Sequence, residues 1–272
     1  MQDEIAANLH LWDNWTDIHM GSRYYDVEGF ISDPRGRPFD WVTREVVGDV
    51  SGLRLLHLQC HIGIDTLRFC LAGAVDVMGV DFSAKAVLAA RSIAERMGQP
   101  VTFIEADVAA LPETVPRAAF DVVFTSYGAI EWLPDLEPWA ESIATRLAPG
   151  GVFHIIDAHP FMSVFDDFAP GPPLRVRHPY FSREPLYFEE HGSYADRDAE
   201  FVADSYAWQH TLAEIVGVLS KRGLVVESLR EYPVVAWKVF EFMVKDNEGL
   251  WRLPPEAGDI PLMFGLSVRK PG

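Results

Sequence analysis

Short strand patterns alternate with longer helix patterns from Leu53 onward, and this alternation restricts the possible folds more than any other feature of the chain. Runs rich in β-branched and aromatic residues predict five strands, at Leu53–Leu58, Val75–Val80, Val101–Glu105, Phe120–Ser126 and Val152–Asp157. Helix patterns follow three of these strands, at 64–72, 83–97 and 135–147. Because strands joined through helices form parallel sheets with helices on both faces, the sequence predicts an α/β fold.

The same pattern divides the chain into three parts. Residues 1–50 contain two helix patterns and are predicted to form an N-terminal helical lid. Residues 51–157 and 210–272 carry the alternating pattern, which ends in a predicted strand at Pro261–Lys270. The segment 158–209 breaks the pattern, because six prolines interrupt a stretch dense in Phe and Tyr. We predict that this segment is inserted as a cap over the functional site.

The acidic composition restricts the partners. The 272 residues carry a formal net charge of −17 without any Lys/Arg run, so a nucleic-acid partner is not expected. No apolar run reaches the roughly 20 residues that span a bilayer, and the acidic N-terminus lacks the order of a signal peptide. Cys60 and Cys70 are expected to stay reduced, and no metal site is predicted because no second pair of ligands has suitable spacing. We therefore expect a cytoplasmic protein with a small-molecule ligand and no membrane partner.

Candidate ligand-binding residues follow the predicted strands at the points where the strands end. They are Gln59, His61 and Gly63 after the first strand, Asp81, Phe82 and Ser83 after the second, Asp107 and Val108 after the third, and Ser126 and Tyr127 after the fourth. Ligands of open α/β sheets bind at these carboxyl ends. The two oxygens of Asp81 suit the two hydroxyls of a ribose, and Asp107 could accept from an adenine amino group. Each carboxylate alone also fits a helix cap or a loop.

Taken in order, these motifs resemble class I S-adenosylmethionine-dependent methyltransferases over about Leu53–Tyr232, most of the chain. The resemblance rests on the Asp81 loop, the Asp107-Val108 pair, the strand Phe120–Val123 and the turn Pro149–Gly151. Three further strings are similar to a bacterial subgroup of small-molecule methyltransferases: Leu56–His61, Thr125–Gly128 and Trp132–Leu136. The resemblance implies a Rossmann-like seven-stranded sheet with an antiparallel last strand, and S-adenosylmethionine as the cofactor.

The first motif of that family departs from its usual form in this sequence. The family has an acidic residue and three glycines where this chain has His57, Gln59, His61 and Gly63. We expect Gln59 and His61 to hold the methionine half of the cofactor through backbone and side-chain hydrogen bonds. The resemblance also suggests that Tyr24 and Tyr25 close over the cofactor as part of the lid, although both could simply pack at a helix end.

A catalytic base is predicted at the ends of the fourth and fifth strands. His159 is the first candidate, with Asp157 or Glu131 as its orienting partner or substitute. The Asp-x-His sequence could instead only end the sheet. The aromatic density of 158–209 predicts an apolar or aromatic acceptor, although the segment could also form a homodimer interface.

Two other functional classes remain open at this point. A NAD-dependent oxidoreductase would also place an acidic residue at Asp81, but it would need a fuller Gly-x-Gly-x-x-Gly turn. A non-catalytic, methyltransferase-like binding protein or partner subunit would keep the fold without the reaction. Methylation of a protein or an RNA is disfavoured by the charge and by the predicted cap.

Overall fold

A seven-stranded sheet forms the centre of the computed structural model, which describes residues 1–272. Its strands are β1 (Arg54–Leu58), β2 (Val75–Asp81), β3 (Thr102–Glu105), β4 (Phe120–Ser126), β5 (Leu147–Ala158), β8 (Val225–Tyr232) and β11 (Met263–Arg269). The strand order is β3-β2-β1-β4-β5-β11-β8. β11 runs antiparallel to both of its neighbours, whereas the other pairings are parallel. The predicted Rossmann-like sheet with an antiparallel last strand is confirmed.

Seven helices accompany this sheet. They are α1 (Gln2–Gly21), α2 (Val27–Ser32), α3 (Trp41–Val47), α4 (Ile64–Leu71), α5 (Ala84–Met97), α6 (Leu136–Arg146) and α7 (Leu212–Lys221). Ser83 caps α5 as the sequence predicts, since its hydroxyl accepts a hydrogen bond from the Ala86 N–H at 3.0 Å. No helix combines the length and the apolar composition needed to cross a membrane.

Both faces of the sheet are buried, as expected for parallel strands. On one face, Trp139 of α6 and Ile215 of α7 pack with Phe153 of β5 in a single hydrophobic cluster. On the other face, a second cluster contains Phe69 of α4 and Phe124 of β4. This two-sided burial leaves the strand ends as the place where a ligand can reach the sheet.

The segment 158–209 contains an antiparallel hairpin of β6 (Leu186–His191) and β7 (Val202–Ala207). Helix α1 packs along β7, because Asn8 bonds both the N–H and the carbonyl of Tyr206, at 2.9 and 2.8 Å. The Trp15 indole N–H donates to the Gly192 carbonyl at 2.7 Å. The first helix and the inserted hairpin therefore form one continuous layer beside the strand ends; their roles as lid and cap stay predictions.

Several element boundaries differ from the sequence prediction. β5 begins five residues before the predicted Val152, because Leu147 already pairs with Phe120 and the Gly150 N–H donates to the Lys270 carbonyl. Pro149–Gly151 thus lies within the strand rather than in a turn before it. Neither helix α2 nor the short hairpin of β9 (Val244–Lys245) and β10 (Trp251–Arg252) was predicted.

Candidate active site

A cleft of about 850 Å³ opens at the carboxyl ends of β1, β2 and β4. This is the point where the strand order reverses, between β1 and β4. The volume lies within the range of roughly 300–1,000 Å³ that is typical of small-molecule sites. Trp12 and Trp15 of α1 and Phe188 of β6 line the cleft together with these strand ends, so α1 and the inserted hairpin supply part of its wall.

The turn after β1 keeps a glycine-like backbone at three positions, although only one of them is glycine. Gln59, His61 and Gly63 have φ angles of 55°, 47° and 76°, all in the left-handed region. A Cβ on Gly63 would lie 2.6 Å from the Phe103 ring, so packing alone requires glycine there. Gln59 and His61 adopt this backbone at a cost of about 1–2 kcal/mol each. Strain of this kind concentrates at functional sites.

The side chains of the two strained residues tie this turn to its surroundings. The Gln59 Nε2 donates to the Ala129 carbonyl at 2.7 Å, whereas its buried Oε1 has no hydrogen-bond partner. The His61 Nε2 lies 2.8 Å from the Nδ1 of His19 on α1, and the His19 Nε2 lies 3.1 Å from the Ser193 hydroxyl. Burial lowers the pKa of His61 to about 3 and that of His19 to about 2, so both rings are neutral at neutral pH.

Asp81 lines the cleft at the end of β2 and is only 5% exposed. One carboxylate oxygen accepts the His61 N–H at 2.8 Å, and the other accepts the Ser83 N–H at 3.0 Å. Burial raises its pKa to about 6, although these backbone donors oppose the shift. Asp81 is therefore largely ionised at neutral pH, and each oxygen keeps a lone pair for a further donor such as a ribose hydroxyl.

Most residues that the sequence selects lie at the cleft. Nine predicted cofactor-binding residues line it: Tyr24, Tyr25, Gln59, His61, Gly63, Asp81, Phe82, Ser126 and Tyr127. The candidate base Glu131 lines it as well. Five other candidates do not line it: Ser83, Asp107, Val108, Asp157 and His159.

Three of the residues outside the cleft have local structural roles. Ser83 is fully buried and donates its hydroxyl to Asp13 at 2.6 Å while it caps α5. Asp107 is exposed, and its carboxylate accepts the Ala109 N–H at 2.8 Å. Val108 belongs to the hydrophobic core. The expected contact of Asp107 and Val108 with an adenine ring stays a prediction.

His159 does not line the cleft, and its role as the base stays a prediction. His159 is 5% exposed, its Nδ1 accepts the Phe161 N–H at 3.1 Å, and its Nε2 lies 3.0 Å from the Glu231 carboxylate. Asp157 is buried and accepts the backbone N–H groups of residues 128–130, which form the loop after β4. Asp157 therefore positions this loop, and Glu131 is the remaining base candidate at the cleft.

Tyrosines at the cleft are held by specific partners. Tyr127, with a left-handed φ of 51°, places its hydroxyl 2.7 Å from the Asp40 carboxylate and 2.7 Å from the Thr43 hydroxyl. The Tyr25 hydroxyl bonds the Tyr194 hydroxyl of the inserted segment. These bonds connect the N-terminal helices to β4 and to the insertion across the cleft.

Three carboxylates from separate segments gather at one end of the cleft. Glu131 follows β4, Asp167 lies in the insertion before its hairpin, and Glu190 lies on β6. Burial, together with the charges of Asp157, Glu190 and Asp167, raises the pKa of Glu131 to about 8. Burial also raises the pKa values of Asp167 and Glu190, while the Ser205 hydroxyl at 2.8 Å opposes the shift of Glu190. We call these three residues the acidic end.

Sequence reasoning missed part of this wall. The sequence did not identify four residues that line the cleft: Asp167, Glu190, Trp12 and Trp132. The ring centres of the two tryptophans lie 5.4 Å apart. One usable signal was the alternation along β6, where Phe188 and Glu190 fall on the less exposed face.

Comparison with known proteins supports a single family. Residues 55–151 match the family model described as methyltransferase domain. The chain is 30% identical over 135 residues to the ubiquinone biosynthesis O-methyltransferase of Photorhabdus laumondii, covering 48% of this chain and 55% of that protein. It is 33% identical over 105 residues to the ribosomal protein L11 methyltransferase of Xanthomonas campestris, covering 38% of this chain and 31% of that protein. The chain thus spans about half or less of the length of these curated relatives.

A solved structure agrees in fold. The S-adenosylmethionine-dependent methyltransferase of Mesorhizobium loti superimposes with a TM-score of 0.57 at 20% identity, covering 89% of this chain and 99% of that one. At this identity the likeness concerns the fold alone. It agrees with the strand order of the sheet and with the methyltransferase domain matched at residues 55–151.

Proposed function

We propose that this protein transfers a methyl group from S-adenosylmethionine to a small-molecule acceptor. The observation that carries the proposal is one cleft that is lined by Asp81, the left-handed β1 turn and Glu131. The names of the relatives point in two directions, to ubiquinone biosynthesis and to a ribosomal protein. The cleft favours the small molecule, because α1 and the inserted hairpin cover the strand ends that a protein chain would have to reach.

The residues of the cleft fit the cofactor. Asp81 would accept from the ribose hydroxyls, and the orphaned Gln59 Oε1 offers an acceptor to the methionine half. S-adenosylmethionine supplies a methyl group made electrophilic by a positively charged sulfur. Trp12 and Tyr25 would exclude water from that region, which strengthens electrostatic interactions within the cleft.

Glu131 is proposed to accept the proton that the acceptor loses. A base works best when its pKa lies near the operating pH, and burial brings the pKa of Glu131 to about 8. Asp157 would act as a positioning residue, because its carboxylate accepts the N–H groups of Ala129 and Ile130, each at 3.0 Å, directly before Glu131. The proton would move from the nucleophilic atom of the acceptor to a Glu131 carboxylate oxygen and then to solvent.

Ligand binding tests the cofactor part of the proposal. In calorimetric titration the protein is expected to bind S-adenosylhomocysteine and not NAD. Asp81→Asn should weaken this binding by about 1–3 kcal/mol, because the amide nitrogen cannot accept from the ribose and leaves a buried donor unpaired. The matched control is Asp76→Asn, at the opposite end of the same strand.

Equal affinity of the Asp81→Asn and wild-type proteins would remove Asp81 from the ribose site. Binding of NAD in place of S-adenosylhomocysteine would overturn the proposed reaction. A screen of acceptors with an isotopically labelled methyl donor then tests the transfer itself.

A further inference from the structure

We infer that the acceptor is an aromatic or apolar amine whose basic nitrogen binds, as a cation, at the acidic end of the cleft. The inference rests on the proposed function and names its substrate class. Its first support is that Glu131, Asp167 and Glu190 converge from three segments without a cation between them. Ser205 satisfies one oxygen of Glu190, and no hydrogen bond from the chain stabilises the Glu131 carboxylate.

The cations near the cleft are held elsewhere. Arg68 pairs with Asp65 at 2.6 Å and donates to the Arg37 carbonyl at 3.0 Å. Arg44 donates to the Phe39 carbonyl. Arg177, whose charge acts on Asp167, pairs with Asp166 at 2.8 Å. His178 also lies near Asp167, but burial lowers the pKa of His178, so its ring is neutral at neutral pH. His191, whose charge acts on Glu190, lies 3.0 Å from the Glu189 carboxylate. No cation of the chain therefore makes an ion pair with any of the three carboxylates of the acidic end.

A second and independent observation comes from a buried ring nitrogen that lines the same cleft without a partner. His57 is 2% exposed, its Nδ1 lies 2.8 Å from the Thr66 hydroxyl, and its Nε2 has no hydrogen-bond partner. Burial lowers the pKa of His57 to about 4, so the ring is neutral and its Nε2 can accept when Nδ1 carries the proton. An unpaired buried acceptor favours a ligand that donates a hydrogen bond.

The walls beside the acidic end suit an organic cation. Trp12, Trp132 and Phe188 line the same cleft, and aromatic faces attract ammonium groups. A bare metal ion fits less well, because the chain contains no group of three His, Cys, Asp or Glu side chains arranged to hold one. The predicted apolar or aromatic acceptor is thus refined to one that also carries an amine.

Matched probes test this inference. Tryptamine, tryptophol and indole-3-acetate share one aromatic body and differ in charge. Titrated into protein saturated with S-adenosylhomocysteine, tryptamine is expected to bind about tenfold or more tightly than tryptophol, and indole-3-acetate is expected not to bind. Because a cation favours the ionised Glu131, tryptamine should release protons, so its binding heat should depend on the ionisation enthalpy of the buffer.

Variants locate the effect. Glu131→Gln combined with Glu190→Gln should abolish both the preference for tryptamine and the proton release. Glu189→Gln is the matched control, because Glu189 lies on the exposed face of the same strand. Equal binding of tryptamine and tryptophol, an unchanged preference in the double variant, or no binding of tryptamine would each overturn the inference. Failure of the proposed function can be distinguished from failure of this inference, because the wild-type protein would then not bind S-adenosylhomocysteine.

Discussion

Replacing Glu131 with glutamine should stabilise the folded protein at alkaline pH. The substitution keeps the shape of the side chain and removes its charge. Burial and the neighbouring carboxylates raise the pKa of Glu131 from its ordinary value of 4.5 to about 8. Between these two values the folded state binds more protons than the unfolded state, so the free energy of unfolding of the wild type falls as the pH rises through this range.

The size of the effect follows from the same two pKa values. Their difference of about 3.5 corresponds to roughly 5 kcal/mol, at about 1.36 kcal/mol per pH unit. Glu131 is only partly shielded from solvent, and relaxation around the charge reduces the cost. We therefore expect Glu131→Gln to be about 2–4 kcal/mol more stable than the wild type at pH 9, and nearly equal to it at pH 4.

Urea unfolding at a series of pH values between 4 and 9 measures this difference directly. Glu189→Gln provides the control, because that carboxylate lies on the outer face of β6 and has no comparable burial. A difference between Glu131→Gln and the wild type that stays below about 0.5 kcal/mol at every pH would refute the burial argument. It would also remove the reason for placing a base with a pKa near 8 in the cleft.

Two further predictions concern residues outside the acidic end. Gly63→Ala should lower the free energy of unfolding by about 2–4 kcal/mol in urea titration, because its Cβ would meet the Phe103 ring at 2.6 Å. Gly98→Ala, with a left-handed φ of 63° and open space around its Cβ, should lose only about 1 kcal/mol; equal losses would show that crowding is not the cause. His159→Gln should retain S-adenosylhomocysteine binding and methyl transfer, and a collapse of turnover in folded protein would return His159 to the role of base.

The sheet was predictable because its signal is local. Strands buried on both faces appear as short apolar runs, and the helices between them have their own period. The start of β5 was not predictable, since it depends on the pairing of Leu147 with Phe120 across the sheet. Helix α2 escaped notice because it is only six residues long and begins at Asp26, a left-handed residue that caps it.

The candidate site was predictable where topology alone determines position. The ends of β1, β2 and β4 meet at the point where the strand order reverses, so Asp81 and Tyr127 reach one cleft. His159 does not line the cleft because the end of β5 lies further from that point, and its ring extends toward Glu231 of β8. Glu190 could not be placed, because the position of its hairpin depends on contacts between Asn8 and Tyr206, 198 residues apart in the chain.

The altered first motif, at residues 57–63, connects the turn after β1 to α1 and to the inserted segment. Glycine in such a turn provides both a left-handed backbone and clearance, and in this chain only position 63 requires the clearance. Gln59 and His61 need the backbone alone, at about 1–2 kcal/mol each, and their hydrogen bonds to Ala129 and His19 return about 0.5–1.5 kcal/mol each. Since these terms nearly cancel, the turn keeps its shape without glycine. His61 then links the turn to α1 and, through His19, to Ser193 of the inserted segment.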